Sequence, residues 1–144
     1  MKKIAFFLAF TAAFLISGMQ PSFAQKKEKK NIDVTGVKIE KSKGANPNIT
    51  TPKPTTDVVA PKMKGPKYGA SLCDVAIENY TGYIVDIYVD GEYRGTIGAY
   101  EPGVTWAIPG RTRLYGVSIG GTVEWGPSNV DCNWLYTWRL YVAN

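Results

Sequence analysis

The sequence predicts an all-β fold, a small antiparallel sandwich or barrel of about seven strands clipped by one disulfide. Three observations lead there. From residue 73 to 142 apolar residues recur with period two, the repeat of a pleated strand and not of a helix. Turn pairs such as Asp90-Gly91 and Gly120-Gly121 interrupt that alternation at about ten-residue spacing. The two cysteines, Cys73 and Cys132, bracket most of the alternating stretch.

The elements follow in order. Cys73, Val75 and Ile77 alternate with Asp74, Ala76 and Glu78 as a first strand, which Asn79-Tyr80-Thr81-Gly82 ends. Tyr83, Val85, Ile87 and Val89 alternate with Ile84, Asp86, Tyr88 and Asp90 as a second. Asp90-Gly91 is a two-residue hairpin signal, since a type I′ turn needs positive φ at both positions. Residues 92–97 return as the third strand. After Glu101-Pro102-Gly103, the residues Val104, Trp106 and Ile108 form the fourth, read as inward-facing. Pro109-Gly110 turns into a fifth over 111–119, with Tyr115, Val117 and Ile119 inward. Residues 122–125 make a sixth, with Val123 and Trp125 inward; Gly126-Pro127-Ser128-Asn129 breaks the ladder, and 135–142 closes the set.

What precedes residue 69 has a different chemistry. Met1-Lys2-Lys3 is followed by an apolar run over 4–16 and by Ser22-Phe23-Ala24, the pattern of an export signal cleaved after Ala24. The run is shorter than the roughly 20 residues that span a bilayer, so no transmembrane span is expected in the mature chain. Residues 25–68 carry eleven lysines, four acids and five prolines. They read as a disordered Lys/Pro/Thr-rich linker, because little apolar surface is available to offset the entropy of ordering it. Residues 69–144 read as the folded domain.

Net charge separates the same segments. The whole chain is at +5, yet residues 69–144 hold four arginines against eight acids. The folded part is therefore acidic and repels phosphate, which argues against a nucleic-acid partner despite a pI near 9.2. In an exported chain two cysteines form one disulfide, Cys73–Cys132. It closes a loop of about 60 residues, worth roughly 4 kcal/mol in the chain-entropy account. The location this implies is periplasmic or extracellular.

Val89-Asp90-Gly91-Glu92-Tyr93-Arg94-Gly95-Thr96, followed by Pro109-Gly110-Arg111-Thr112-Arg113-Leu114, resembles the PEGA-like surface domains. The resemblance implies a β-sandwich module of the bacterial envelope, adhesive or structural, with no catalytic residues to carry over.

Catalytic chemistry is sparse. The chain has no histidine for a triad, and no Ser or Cys stands in a nucleophile elbow. Asp74, Glu78, Asp86 and Glu124 fall on outward alternate positions, where a solvated face is the simpler reading than a glycosidase pair. Gly91–Gly98 follows hairpin spacing, not a phosphate cradle. No loop has calcium-ligand spacing, so neither metal nor cofactor is expected. Tyr and Trp are the remaining signal: all five Phe lie in the leader, while residues 69–144 hold twelve Tyr and Trp. Most must fill the core. Tyr88, Tyr93, Tyr100, Trp134 and Tyr136 fall where rings are expected to be exposed and to bind a ligand. The expected function is an exported, non-enzymatic structural or adhesive binding module, with an envelope protein or glycan as partner. The alternatives are a carbohydrate-binding module using exposed Tyr and Trp, and a small hydrolase or enzyme inhibitor.

Overall fold

The computed structural model describes residues 29–40, 44–56, 59–60, 68 and 71–143. The leader expected at 1–24 lies outside them. The described chain is all-β, with eight strands: β1 (Lys29–Lys38), β2 (Cys73–Asn79), β3 (Val85–Val89), β4 (Glu92–Ile97), β5 (Pro102–Ala107), β6 (Gly110–Ser118), β7 (Val123–Cys132) and β8 (Leu135–Val142). They form one sheet in the order β4-β3-β6-β7-β1-β8-β2-β5. The sheet curls until its two edge strands meet, a nearly closed barrel.

All seven strands expected from the alternation are present, and the eighth is a correction. Residues 29–38 lie inside the stretch read as a linker, yet β1 sits mid-sheet. It pairs parallel with β8 over Lys29↔Leu135 to Gly36↔Val142 and antiparallel with β7 at Val37↔Glu124. Ile32 and Val34 pack on the core, and Gly36 lies against Trp125, where an added Cβ would fall 2.8 Å from the indole ring. A glycine in the third place of the Ile32-Val34-Gly36 alternation hides the strand, because the missing side chain is what admits the tryptophan.

Residues 44–56 and 59–60 of the proline-rich stretch are also part of the fold. The backbone N–H groups of Thr50 and Thr51 donate to Gly91 O at 2.8 and 3.0 Å, and Ala60 N donates to Thr96 O at 3.0 Å. Thr51 and Val59 bridge in parallel to Glu92 and Thr96. The chain thus runs beside β4 and occupies donors and acceptors that an edge strand would leave open. Extended, proline-stiffened backbone suits this role, since it needs few hydrogen bonds of its own.

Side chains finish the closure between β4 and β5. The β3–β4 register shifts at Ile87/Tyr88, pairing Ile87 with Gly95 and Tyr88 with Tyr93, so Arg94 is the extra residue of a bulge. Its guanidinium carbon lies 3.9 Å from the centre of the Trp106 ring on β5, and Nη2 reaches Glu92 Oε2 at 2.8 Å. Ala60 wedges below, close to Gly95 and Gly103.

The core holds Trp125 and Trp138, both fully buried, with Val75, Ile77, Val85, Ile87, Val89, Leu114 and Leu140. The disulfide Cys73–Cys132 is present there, Cα atoms 5.8 Å apart, linking the start of β2 to the end of β7. Asp90 and Gly91 both have positive φ (53° and 85°), the expected type I′ hairpin. Several expected details differ. β3 starts at Val85, not Tyr83, because Asn79 holds the preceding loop: its Nδ2 donates to Tyr83 O and Gly98 O, each at 2.8 Å. β7 continues through Gly126-Pro127-Ser128-Asn129, absorbing it as a register shift against β6 in place of a break. The inward phase slips in two strands. Ala107 and Leu114 are core, so Trp106 and Tyr115 face away from it, and Ile108 and Ile119 are exposed. The second face is covered in places by residues 44–56 and 59–60, so large side chains occur on both faces and period two loses its sign there.

Candidate binding surface

The carboxylates that an enzyme would use are engaged in structure. Asp86 faces outward as expected but is buried, a correction to the solvated reading. Its Oδ1 accepts from Lys53 Nζ at 3.0 Å and Thr96 Oγ1 at 2.6 Å, while Tyr93 OH lies 2.6 Å from the same Thr96 hydroxyl. Asp74, 1% exposed, accepts from the Tyr68 backbone N–H at 3.0 Å. Glu124 Oε2 accepts from Tyr115 OH at 2.6 Å, and Asn46 Nδ2 donates to that phenol oxygen, also at 2.6 Å. Burial and the Glu124 carboxylate together push the Tyr115 phenol well above its usual range. Asp90 caps the hairpin by accepting from Arg113 N at 2.8 Å. Asp74, Asp86 and Glu124 lie on different strands, and each of the four carboxylates has a hydrogen-bond partner of its own. Among the described residues no three His, Cys, Asp or Glu side chains gather as metal ligands.

The five aromatic candidates separate. Tyr88 and Tyr136 are 4% and 8% exposed, contrary to the exposure expected of them. Tyr88 lies under the outer covering, tilted against Tyr93 and Tyr115, and Tyr136 faces the core. Tyr93 is half-buried, with the Lys53 ammonium 5.7 Å from its ring centre. Trp134 is half-buried beside the Cys132 end of β7. Tyr100 alone of the five is widely exposed, at 74%.

Tyr100 stands at the end of the barrel opposite the disulfide. The loops at 79–84, 98–101 and 119–122 meet there, tied by Tyr100 N to Thr81 O (3.0 Å) and Ile119 N to Ile84 O (2.9 Å). Tyr100 has φ of 56°, a left-handed conformation that is uncommon for a bulky side chain and is found at functional positions. Gly82 lies alongside the ring, where an added Cβ would be in ordinary contact with the Tyr100 hydroxyl at 3.4 Å. Tyr80 is also exposed and stacks on Tyr141, centroids 5.1 Å apart and planes 7° from parallel. Tyr83 is partly exposed and meets Trp125 edge-on at 5.9 Å.

Between Tyr80 and Tyr100 runs an open groove of about 250 Å³, lined also by Glu78, Asn79, Glu101 and Pro102. Glu78 Oε2 accepts from Arg139 Nε at 2.8 Å and from Tyr80 OH at 2.9 Å. The Arg139 hydrogen bond holds the Glu78 carboxyl below its usual range, so it is an acceptor-only group at neutral pH. Asp33 Oδ1 on β1 lies 3.5 Å from Arg139 Nη1 and extends the row. Asn79, 3% exposed, is the scaffold: besides its two donor bonds, its Oδ1 accepts from Thr81 N at 3.1 Å and Thr81 Oγ1 at 2.7 Å. Tyr80, Tyr83 and Tyr141 were not among the candidates expected from sequence. The usable signal was the Asn79-Tyr80-Thr81-Gly82-Tyr83 turn, where rings are held off the core by the punctuation itself.

No family model matches the chain, and no curated protein or solved structure matches it.

Proposed function

We propose that the chain is an exported, non-enzymatic binding module of the bacterial cell envelope, periplasmic or extracellular, which engages an envelope component through the tyrosine-rich end of its barrel. The observation that carries this reading is Tyr100, a large ring held three-quarters exposed in a left-handed backbone beside a second exposed ring, Tyr80. Isolated exposed apolar side chains are ordinary, but here Ile84, Tyr83 and Ile119 extend the exposed surface across neighbouring loops. The disulfide suits an oxidising compartment. Among the described residues no helix is long and apolar enough to cross a membrane. The resemblance of the 89–114 stretch to PEGA-like surface modules points the same way. A hydrolase has less support, since Asp86 and Glu124 are tied to Lys53, Thr96 and Tyr115.

Co-sedimentation of the secreted chain with washed envelope fragments tests the reading. The wild-type chain is expected in the pellet, and a Tyr80→Ser/Tyr100→Asn double variant in the supernatant. A wild-type chain that stays in solution, or a double variant that pellets equally, overturns it.

A further inference from the structure

We infer that Arg111 and Arg113 on β6, with Asn129 and Asp131 across from them on β7, form a second binding site, one for a phosphate group that carries a nearby primary ammonium, a phosphoethanolamine. The site stands at the disulfide end of the barrel wall, where Gly110 pairs with Cys132, away from the tyrosine-rich end. It rests first on two arginines without partners. Arg94 is ion-paired with Glu92, and Arg139 with Glu78 and Asp33. The guanidinium groups of Arg111 and Arg113, the other two arginines of the chain, make no ion pair, hydrogen bond or ring contact among the described residues. Arg111 is exposed and Arg113 half-buried, while Thr112 and Leu114 beside them are buried. Both arginines therefore extend to the outer face, about 6.7 Å apart along the strand. Two open pockets of about 260 and 350 Å³ meet there, and Arg111 and Asn129 line both.

The order of charges around these pockets selects the ligand. Each guanidinium is a planar fork of donors with no acceptor. A carboxylate fills one such fork, whereas the oxygens of a phosphate can fill two. Two carboxylates flank the pair. Asp131 is directly opposite Arg111, and Asp90 lines the pocket beside Arg113. Opposite charges in such cross-strand positions ordinarily pair. Here Asp131 Oδ2 accepts from Asn133 Nδ2 at 3.2 Å, and Asp90 Oδ1 accepts from the Arg113 backbone N–H at 2.8 Å. Each carboxylate keeps acceptor capacity beyond that bond. The face thus reads negative, positive, positive, negative. A long phosphate polymer would lay further charges over Asp90 and Asp131, so the acids confine the site to a single phosphate group. This agrees with a folded part that is acidic as a whole. A phosphate with an ammonium two carbons away matches the order, its oxygens on the forks and its N–H donors on Asp131. A quaternary ammonium has no N–H to offer that carboxylate.

The frame of the site is already fixed. Asp90 N also donates to Arg113 O at 2.8 Å, so the tip of the β3–β4 hairpin is bonded to both backbone groups of Arg113. Arg111 and Asn129 belong to the β6–β7 ladder. Only side chains need ordering when the ligand arrives, which limits the cost of binding in an open site.

The test is an NMR titration of the disulfide-bonded, ¹⁵N-labelled chain at fixed ionic strength with O-phosphoethanolamine, inorganic phosphate and phosphocholine. Phosphoethanolamine is expected to move the Nε–Hε signals of Arg111 and Arg113 and the amides of Asn129 and Asp131 to saturation. It should bind about threefold more tightly than the other two probes. Arg111→Lys/Arg113→Lys keeps both charges, removes both forks, and should weaken binding by about tenfold. Asp131→Asn should bring phosphoethanolamine level with phosphocholine. Tyr80→Ser/Tyr100→Asn should bind as the wild type does. Signals that never saturate show solvated arginines only and overturn the inference, as does equal binding by the double lysine variant. Inorganic phosphate binding as tightly as phosphoethanolamine, or an Asp131→Asn chain that keeps the preference, overturns the ammonium assignment. Flotation with phosphatidylcholine vesicles, with and without phosphatidylethanolamine, separates the sources. A chain that floats only with phosphatidylethanolamine takes a lipid headgroup; one that binds the free compound and does not float takes the same group on a soluble or polymeric carrier.

Discussion

Substituting Gly36 by alanine tests whether residues 29–38 are part of the folded unit. Gly36 is in the middle of the sheet, and a Cβ there would lie 2.7 Å from Val123 Cγ1 and 2.8 Å from the Trp125 ring. Real Cβ contacts do not come that close, and neither neighbour can retreat, since Trp125 is fully buried and Val123 nearly so. Overpacking of this kind costs about 2 kcal/mol. Replacing glycine within a strand returns about 0.5 kcal/mol of unfolded-state entropy. The net loss is about 1.5 kcal/mol, which lowers Tm by about 6 °C for a chain of this size. Gly44→Ala is the control, because nothing lies within 4 Å of its added Cβ; its Tm should stay level or rise slightly. Thermal unfolding followed by tryptophan fluorescence reads both variants. A Gly36→Ala chain that melts with the wild type would show that β1 does not rest on Trp125, and the reasoning that places it between β7 and β8 would fail.

Other consequences are as direct. Reducing Cys73–Cys132, which spans 59 residues, removes about 4 kcal/mol and should lower Tm by about 16 °C; an unchanged melt in dithiothreitol would refute a stabilising clip. Lys53→Met leaves Asp86 buried with Thr96 as its remaining partner and should cost about 1 to 3 kcal/mol in urea unfolding. Adding Asp86→Asn should recover most of that loss, and a double variant as unstable as the two losses added would dismiss the coupling. Tyr115 has a folded pKa raised above 10, by burial first and by the Glu124 hydrogen bond second. Its contribution to stability is complete below pH 10 and is lost as pH rises through the higher folded value. Tyr115→Phe should therefore flatten the alkaline loss of stability, and parallel alkaline profiles for the two proteins would contradict this.

The sequence made the local antiparallel pairs legible and the distant parallel ones invisible. Asp90-Gly91 announces its hairpin because the turn chemistry lies between the strands it joins. β8 pairs in parallel with both β1 and β2, and parallel pairing leaves no turn residue to mark it. β1 was further masked by its lysines at both ends and by Gly36, whose bare backbone is the feature that fits. The phase of β5 and β6 was ambiguous for another reason. Trp106 and Tyr115 are large and mostly covered yet lie off the core, one beneath Arg94 and the other beneath Asn46. A second covered face, built by residues far away in sequence, turns a period-two pattern into one with two possible signs. The same covering explains why Tyr88 and Asp86, outward in phase, are buried. Tyr100 was legible because it follows a short turn with no strand to bury it, whereas Tyr80 acquires meaning only when the 79–84 and 98–101 loops are brought together.

The placement of the closure explains why the candidate site lies where it does. The barrel has one gap, between β4 and β5, and three devices fill it: Thr50, Thr51 and Val59 beside β4, the Ala60 wedge, and Arg94 over Trp106. With the outer edge of β4 occupied by Thr51 and Val59, an end of the barrel or its outer surface is the more open place for recognition. The two ends are not equivalent. One is fixed by Cys73–Cys132, which joins the β2/β5 wall to the β6/β7 wall through the interior. The other lies six residues along β2, about 20 Å away at ordinary strand rise, beyond the reach of that clip. Its loops would be the first part of the molecule to fray, and it is there that Asn79 is buried with every polar atom engaged. An asparagine desolvated to hold two loops together is costly unless the shape it holds is needed. What it holds is the separation of Tyr80 from Tyr100, with one of the two in a backbone conformation that is uncommon for tyrosine. Stability alone is served by the core tryptophans and the disulfide; the polar scaffold at Asn79 serves the geometry of exposed rings, and that geometry is what a ligand would read.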